Sequence, residues 1–214
     1  LTKPLLKILD HLFVVEIDRD IVQWLYNEFP EQKLTIYAAD ALRFDFTQLG
    51  VKLRIIGNLP YNISTPLLFH LSQYSASVID MHFMLQQEVV DRMVAKPSTS
   101  DYGRLSVMLQ NQFEMEKLLS VPAESFKPVP KVESAIIRMM PRVTPIVPVA
   151  EHPLFKKIDT AAFAQRRKTL RNTLKNHLAL TDFEALQLDP SARAENLSVF
   201  DYATITRFLK NVTQ

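Results

Sequence analysis

Asn58, Leu59, Pro60 and Tyr61 bring together groups that could act on a planar amine. The Asn58 side-chain carbonyl and the Leu59 backbone carbonyl could together accept both N–H bonds of an exocyclic amino group. Pro60 lacks a backbone N–H and favours an extended conformation at Leu59, so the acceptors have no neighbouring donor. Tyr61 offers a face on which an extruded base could stack. These four residues predict a turn that holds an amine.

The reaction best suited to such a turn is methyl transfer from a sulfonium donor. The attacking amine becomes positive in the transition state, and preorganised acceptors with an aromatic face stabilise that charge. No strong base is needed, because the proton becomes acidic only after the methyl group arrives. The order Asn or Asp, any residue, Pro and an aromatic is typical of amino-directed methyltransferases. On four residues alone, a plain proline turn before a helix capped by Ser64 or Thr65 stays equally open.

Composition is that of a soluble globular protein. The 214 residues are 47% hydrophobic with a mean hydropathy of −0.01, and no apolar run approaches the length that spans a bilayer. No basic-then-apolar leader stands at the amino terminus. The absence of cysteine excludes disulfides and thiolate metal sites, and no ligand cluster suggests a metal. We expect no membrane association, no metal, and a cytoplasmic location.

Alternating strand and helix patterns predict an α/β fold for the first two thirds of the chain. Residues 12–17 read as a buried parallel strand that ends near Glu16, and residues 34–37 read as a strand that leads to Asp40. Open α/β sheets place a ribose-binding carboxylate at such a strand end. From the pattern alone, Glu16 could equally be a solvated acid. For Asp40, the pattern alone favours a turn-capping or helix-capping residue. Further strands are expected at residues 53–56, 81–86, about 113–120 and about 134–140.

The carboxyl-terminal part of the chain is basic. Between residues 156 and 177, seven Lys and Arg residues stand against Asp159 alone, a net charge of +6. The spacing predicts a helix with an apolar face and a basic stripe, which could bind RNA phosphates or could simply be a solvated face. The apolar face holds Phe163, Leu170, Leu174 and Leu178, and the stripe beside it holds Lys168, Arg171 and Lys175.

Four prolines between residues 141 and 153 predict a linker. We therefore expect a catalytic domain at residues 1–144, a linker at residues 145–153 and a helical domain at residues 154–214.

Longer blocks of the sequence closely resemble one family, the KsgA family of bacterial small-subunit ribosomal RNA adenine dimethyltransferases. The resemblance extends from residue 1 to about residue 202. The blocks that carry it are GNLPYNISTPLLFHL at 57–71, MHFMLQQEVVDRMVA at 81–95, YGRLSV at 102–107, FKPVPKVESAIIR at 126–138 and QRRKTLRNTL at 165–174.

This resemblance implies the fold and the reaction. The fold would be α/β, with a Rossmann-like methyltransferase sheet and a small all-helical, RNA-binding domain at the carboxyl end. The enzyme would use S-adenosyl-L-methionine (AdoMet) to dimethylate N6 of two adjacent adenines near the 3′ end of 16S rRNA, late in ribosome biogenesis. Its partner would be the small ribosomal subunit, and the protein would be a monomer without an obligate protein partner.

The resemblance also implies roles for individual residues. Glu16 would bind the donor ribose, Asp40 and the Ala41 N–H would bind the donor adenine, and Asn58 would face both donor and amine. Phe126 would lie opposite Tyr61 and sandwich the target adenine, although the sequence alone favours an ordinary buried phenylalanine. The residues expected to bind RNA are Arg166, Arg167, Lys168, Arg171 and Lys175.

The start of the chain departs from the family. Residues 1–6 resemble the tail of the family's glycine-rich donor loop, while that loop and the strand before it are absent. We therefore expect this chain to be part of a longer protein. Without the absent strand, its two neighbours in the sheet would be left unpaired.

Three other functions stay open. An Erm-type enzyme would dimethylate a large-subunit adenine, and a non-catalytic assembly factor would bind RNA only. A DNA adenine methyltransferase would share the central turn but not the flanking blocks.

Overall fold

The computed structural model describes residues 1–213. The chain divides into two compact units, Leu1–Ile79 and Asp80–Gln214. The strands are β1 (Leu12–Glu16), β2 (Leu34–Ala38), β3 (Leu53–Asn58), β4 (Val78–Gln86), β5 (Phe113–Val121) and β6 (Ser134–Pro141). The helices are α1 (Thr2–Leu5), α2 (Arg19–Glu28), α3 (Ser64–Ser72), α4 (Gln87–Val94), α5 (Arg104–Gln112), α6 (His152–Ala162), α7 (Leu170–Thr173), α8 (Leu180–Ala185) and α9 (Val199–Thr213). All the predicted strands are present.

In the first unit, β1 and β2 form a parallel pair, with Glu16 opposite Ala38 at their carboxyl ends. Their inner face packs against α2 through Leu25 and Leu34, both of which are buried. The prediction that β1 is a buried strand is wrong, because Phe13 is 44% exposed and most of the other residues of β1 are half-buried. Within residues 1–213, β1 pairs with β2 only, so one of its edges has no neighbouring strand.

Hydrogen bonds place two helices in this unit, α2 and α3. The Asp18 side chain caps α2, since it accepts from the N–H groups of Asp20 at 2.9 Å and Ile21 at 3.1 Å. The His70 ring on α3 contacts the Phe44 carbonyl at 2.8 Å through Nε2. Phe44 is itself buried, so α3 is held at a defined place in the unit.

In the second unit, β6 lies between β4 and β5 and is antiparallel to both. Alternate residues of β4, including Met81, Phe83 and Leu85, are fully buried, as expected for a strand with one face in the core. Lys117 on β5 donates to Asp91 on α4 at 2.8 Å. Helix α4 packs against β5 and β6, and α5 packs against β5.

The helical part at the carboxyl end shares its core with α5. Phe155, Leu170, Phe183 and Tyr202 are fully buried in one cluster that also contains Val107 of α5. The core of helices α6 to α9 therefore extends to α5 and to the segment before it. The domain boundaries at residues 144 and 154 stay a prediction.

The proline-rich segment between β6 and α6 is held by Asn111, which is buried on α5. The Val147 N–H donates to Asn111 Oδ1 at 2.7 Å, and the Ile146 N–H donates to the Asn111 carbonyl at 3.1 Å. Val147 is 1% exposed. This part of the predicted linker is thus fixed to the second unit.

Candidate active site and RNA-binding surface

The turn after β3 has an inner and an outer side. Leu59 is buried at 8% exposure, whereas Asn58 and Pro60 are exposed and Tyr61 is half-buried. The Leu59 side chain therefore anchors the turn, and its flanking residues face solvent. Within residues 1–213, the Asn58 side-chain amide has no hydrogen-bond partner. The predicted amine-binding group is thus accessible and uncommitted.

The turn joins α3 through its own carbonyl groups. The Ile63 N–H donates to the Pro60 carbonyl at 3.2 Å, and the Ser64 hydroxyl donates to the Tyr61 carbonyl at 3.1 Å. The alternative left open by the sequence, a cap on α3 from Ser64 or Thr65, does not occur: Ser64 is the first helical residue, and Ile63 precedes it without a side-chain cap. The Ser64 hydroxyl closes the turn instead. It ties the position of Tyr61 to the start of the helix.

Glu16 is oriented by the backbone that follows it. Its Oε1 accepts from the N–H groups of Ile17 at 2.8 Å and Asp18 at 2.9 Å. Two backbone donors on one oxygen fix the plane of the carboxylate. Its Oε2 has no partner within the part of the chain that the structure describes. Glu16 therefore presents one free acceptor oxygen at the end of β1.

Asp40 shows the same arrangement at the neighbouring strand end. Its Oδ1 accepts from the Leu42 N–H at 2.9 Å, while Oδ2 lies 3.9 Å from Arg43 Nε. The Ala39 N–H donates to the Glu16 carbonyl at 2.9 Å, which brings the two strand ends together. The turn-capping role that the sequence left open is therefore real. The cap uses Oδ1, whereas Oδ2 faces Arg43. Ala41, the next residue, is half-buried.

Phe126 belongs to the second unit. It follows a short 3-10 helix, Ala123–Ser125, and its N–H donates to the Ala123 carbonyl at 3.2 Å. The Phe126 side chain is half-buried, and the next residues, Lys127 to Val129, are exposed. It is neither a fully buried core residue nor a free surface ring. Its predicted stacking role stays a prediction.

The basic segment is not the continuous helix that the spacing predicted. Helix α6 ends at Ala162, turns follow, and α7 covers Leu170–Thr173 only. The apolar residues are nevertheless internal, since Leu170 and Leu174 are fully buried. Backbone contacts explain the break, because the N–H groups of Leu170 and Arg171 donate to the carbonyls of Ala192 and Pro190 at 2.8 and 3.0 Å. Pairing with that segment replaces helical hydrogen bonds.

Five exposed cations remain together on this segment, and we name them the basic surface: Arg166, Arg167, Lys168, Arg171 and Lys175. Arg166 donates to the Ser100 carbonyl at 2.9 Å. The side chains of the other four have no partner within residues 1–213. Four uncommitted cations on one short segment suit the binding of phosphate groups.

A buried ion pair was missed by sequence reasoning. Arg104 Nε donates to Asp159 Oδ2 at 2.8 Å, and Asp159 is 0% exposed. Burial raises the pKa of the Asp159 carboxyl to about 7, and the hydrogen bond from Arg104 opposes that rise. The available signal was the position of Asp159 among Phe155, Ile158 and Ala162, which places it on the apolar face of α6.

Metal and membrane features can be described for residues 1–213 only. In that range no group of three or more His, Cys, Asp and Glu residues could hold a metal ion. No helix there is long and apolar enough to cross a membrane.

Comparison with known proteins adds the family. The family model described as ribosomal RNA adenine dimethylase matches residues 1–211. A protein named ribosomal RNA small subunit methyltransferase A from Nitrosomonas eutropha is 60% identical over 99% of this chain and 82% of its own length. A protein of the same name from Nitrosospira multiformis is 59% identical over the same shares.

Two solved structures resemble the fold. A dimethyladenosine transferase from Plasmodium falciparum matches with a TM-score of 0.80 and 23% identity, over 98% of this chain and 86% of that one. The 23S rRNA methyltransferase ErmE matches with a TM-score of 0.74 and 22% identity, over the same shares. At this identity the likeness shows the fold alone. It confirms the predicted fold class, a Rossmann-like methyltransferase sheet with a helical carboxyl-terminal part.

Proposed function

The chain belongs to the ribosomal RNA adenine dimethylase family, and we propose that it dimethylates N6 of two adjacent adenines near the 3′ end of 16S rRNA. The observation that carries this choice of substrate is the 60% identity, over 99% of the chain, to a relative named for the small subunit. ErmE, named for 23S rRNA, shares the fold at 22% identity. We propose that the reaction takes place late in small-subunit assembly, in the cytoplasm. The enzyme would be a monomer with a catalytic domain at residues 1–144, a linker at residues 145–153 and a helical domain at residues 154–214.

The methyl donor in this proposal is AdoMet, which supplies an electrophilic methyl group on a sulfonium. The strand ends of β1 and β2 offer acceptors that fit its nucleoside part. Glu16 Oε2 is free and held in a fixed plane, so it could accept from ribose hydroxyls. Asp40 lies beside it and offers Oδ2 as an acceptor for an adenine amino group, with the Ala41 N–H as donor.

The target amine would be held by the turn after β3. The Asn58 Oδ1 and the Leu59 carbonyl would accept its two N–H bonds, and Pro60 contributes no competing donor. As the amine becomes positive, these oxygens and the Tyr61 ring would stabilise the charge. Since the Ser64 hydroxyl already closes the turn, the acceptors need little reorganisation on substrate binding. Phe126 would stack on the same adenine.

The basic surface would bind the phosphates of the RNA around the target site. Arg167, Lys168, Arg171 and Lys175 are exposed and uncommitted within the described residues, and Arg166 lies among them. Each phosphate contact would release counterions, so binding should weaken as salt is raised.

The proposal is tested with isolated ribosomal subunits that lack the modification. The full-length protein is incubated with methyl-labelled AdoMet and separate small and large subunits, and the RNA is digested to nucleosides. We expect labelled dimethyladenosine from the small subunit only. Label in the large subunit would instead assign 23S rRNA as the substrate, as in the name of ErmE. RNA binding without label in either subunit would leave a non-catalytic assembly factor.

A further inference from the structure

Arg166 differs from the other cations of the basic surface because its side chain is tied to two distant parts of the chain. Its Nη2 donates to the Ser100 carbonyl at 2.9 Å, and its Nε lies 3.6 Å from Glu195 Oε2. Arg167, which is adjacent and carries the same charge, has no side-chain partner within residues 1–213. The two arginines therefore form a matched pair, one committed and one free.

The two parts that Arg166 contacts also contact each other. The Ser98 N–H donates to the Glu195 carbonyl at 2.8 Å, and Asn196 Nδ2 donates to Ser98 Oγ at 3.2 Å. Ser98 has a φ of 69°, in the left-handed region that non-glycine residues rarely adopt. A strained residue of this kind persists when its surroundings hold it. Ser98 lies between α4 and α5, and we name residues 96–101 the α4–α5 loop.

Residues 164–168, just before α7, make few hydrogen bonds to other parts of the chain. From Ala164 to Lys168, the backbone N–H bonds found in the described part of the chain are local, from Ala164 to Ala161 and from Lys168 to Gln165. The next residues are fixed, because Leu170 is buried and Thr169 bridges Arg193. Arg166 is thus the side chain that connects this turn to the α4–α5 loop and to Glu195.

We propose that Arg166 is a positioning residue, which holds the turn so that Arg167 and Lys168 are presented to RNA phosphates in a fixed geometry. This inference rests on the proposed RNA binding. A flexible turn would have to be ordered when RNA binds, and that entropy loss would lower affinity. The Arg166 side chain is 71% exposed, so its ion pair with Glu195 alone contributes little. The effect comes from the pair together with the hydrogen bond to Ser100.

The salt dependence of RNA binding distinguishes a positioning residue from a phosphate ligand. Affinity for a small-subunit rRNA fragment is measured over a range of salt concentrations for wild type, Arg166→Gln and Arg167→Gln. Loss of one phosphate contact lowers the slope of log K against log salt by about 0.7 to 0.9. We expect this for Arg167→Gln. For Arg166→Gln we expect an unchanged slope and an affinity about threefold to tenfold lower, as for one net hydrogen bond.

The effect of Glu195→Gln on RNA affinity has opposite signs for a phosphate ligand and for a positioning residue. If Arg166 bound phosphate, removal of the competing carboxylate would raise RNA affinity. If Arg166 positions the turn, affinity falls, and the double variant with Arg166→Gln is no weaker than the weaker single variant, because both changes break one connection.

Amide hydrogen exchange at Ser98 tests the connection without RNA. We expect faster exchange of the Ser98 N–H in Arg166→Gln and Glu195→Gln, and wild-type exchange in Arg167→Gln. Unchanged Ser98 exchange and a lower salt slope in Arg166→Gln would overturn the positioning role while RNA binding stands. Wild-type protein without affinity for the RNA would instead overturn the proposed function, whatever the exchange result.

Discussion

Arg104 and Asp159 are joined by a hydrogen bond of 2.8 Å across α5 and α6, although Asp159 is fully buried and the Arg104 side chain is 44% exposed. The pair connects the helix that covers the strands of the second unit to the helical part at the carboxyl end. Replacing such a pair by neutral groups is often tolerated, whereas an ionised buried carboxylate is costly. The pH therefore decides how much this contact contributes.

The first prediction concerns stability against pH. Burial raises the pKa of Asp159 from 3.8 to about 7, so the folded state binds a proton more tightly than the unfolded chain. The stabilisation of the folded state that results is fully present below the pKa of the unfolded chain and is lost as pH rises to about 7. The free energy of unfolding should fall by on the order of 4 kcal/mol in total over this range. We expect Asp159→Asn to remove this decline from unfolding curves measured between pH 4 and 8. The exposed Asp101→Asn serves as control, and an identical pH profile in both variants would contradict the assignment.

The second prediction concerns the amine-binding turn. Asn58→Ala removes the side-chain acceptor, and we expect turnover to fall by about 10²- to 10³-fold, as for a removed group that stabilises transition-state charge. RNA affinity and the thermal midpoint should stay near those of wild type, because Asn58 is exposed and has no partner in the described residues.

Asn62→Ala is the matched control, since Asn62 is an exposed amide in the same turn. We expect it to retain turnover. Equal losses at both positions would point to a general disturbance of the turn.

The third prediction concerns the donor. Glu16→Gln removes the charge at the end of β1, and we expect AdoMet binding in calorimetry to weaken by about ten- to hundredfold, the range for a hydrogen bond to a charged group. Asp18→Asn removes the same charge two residues away, while asparagine still caps α2. Unaltered affinity in Glu16→Gln, or an equal loss in Asp18→Asn, would rule out a direct contact of Glu16 with the donor.

The fourth prediction concerns the segment between β6 and α6. Asn111→Ala leaves the buried Val147 N–H without its acceptor at 2.7 Å, and we expect the free energy of unfolding to fall by about 1 to 3 kcal/mol. The Val147 amide should exchange faster, whereas the Ile146 amide keeps its acceptor, the backbone carbonyl of residue 111. The neighbouring Gln112→Ala keeps that acceptor and should change stability little; a loss as large as that of Asn111→Ala would argue against the specific contact.

Local chemistry made several features readable in the sequence. The run of β3 into Asn58 and Pro60 fixed the site of the turn, because proline cannot continue a strand and asparagine offers an acceptor. The capping of α2 by Asp18 needed only residues two and three positions away. The position of Glu16 at the end of β1 followed from the strand pattern, because open α/β sheets place functional carboxylates at the carboxyl ends of strands. For Asp40 the pattern favoured only a turn cap, and its expected role in donor binding came from the family resemblance.

Long-range contacts decided the rest. The spacing of Leu170, Leu174 and Leu178 predicted their burial but also a continuous helix, and that helix is interrupted because backbone groups pair with residues 190–193. Ser64 could be recognised as a helix-start residue, yet only the folded turn shows that its hydroxyl is used by Tyr61. By itself, the sequence determined the residue types at each strand end and the family. The tertiary structure decided which charges are free, since Arg166 and Asp159 find their partners Ser100, Glu195 and Arg104 far along the chain.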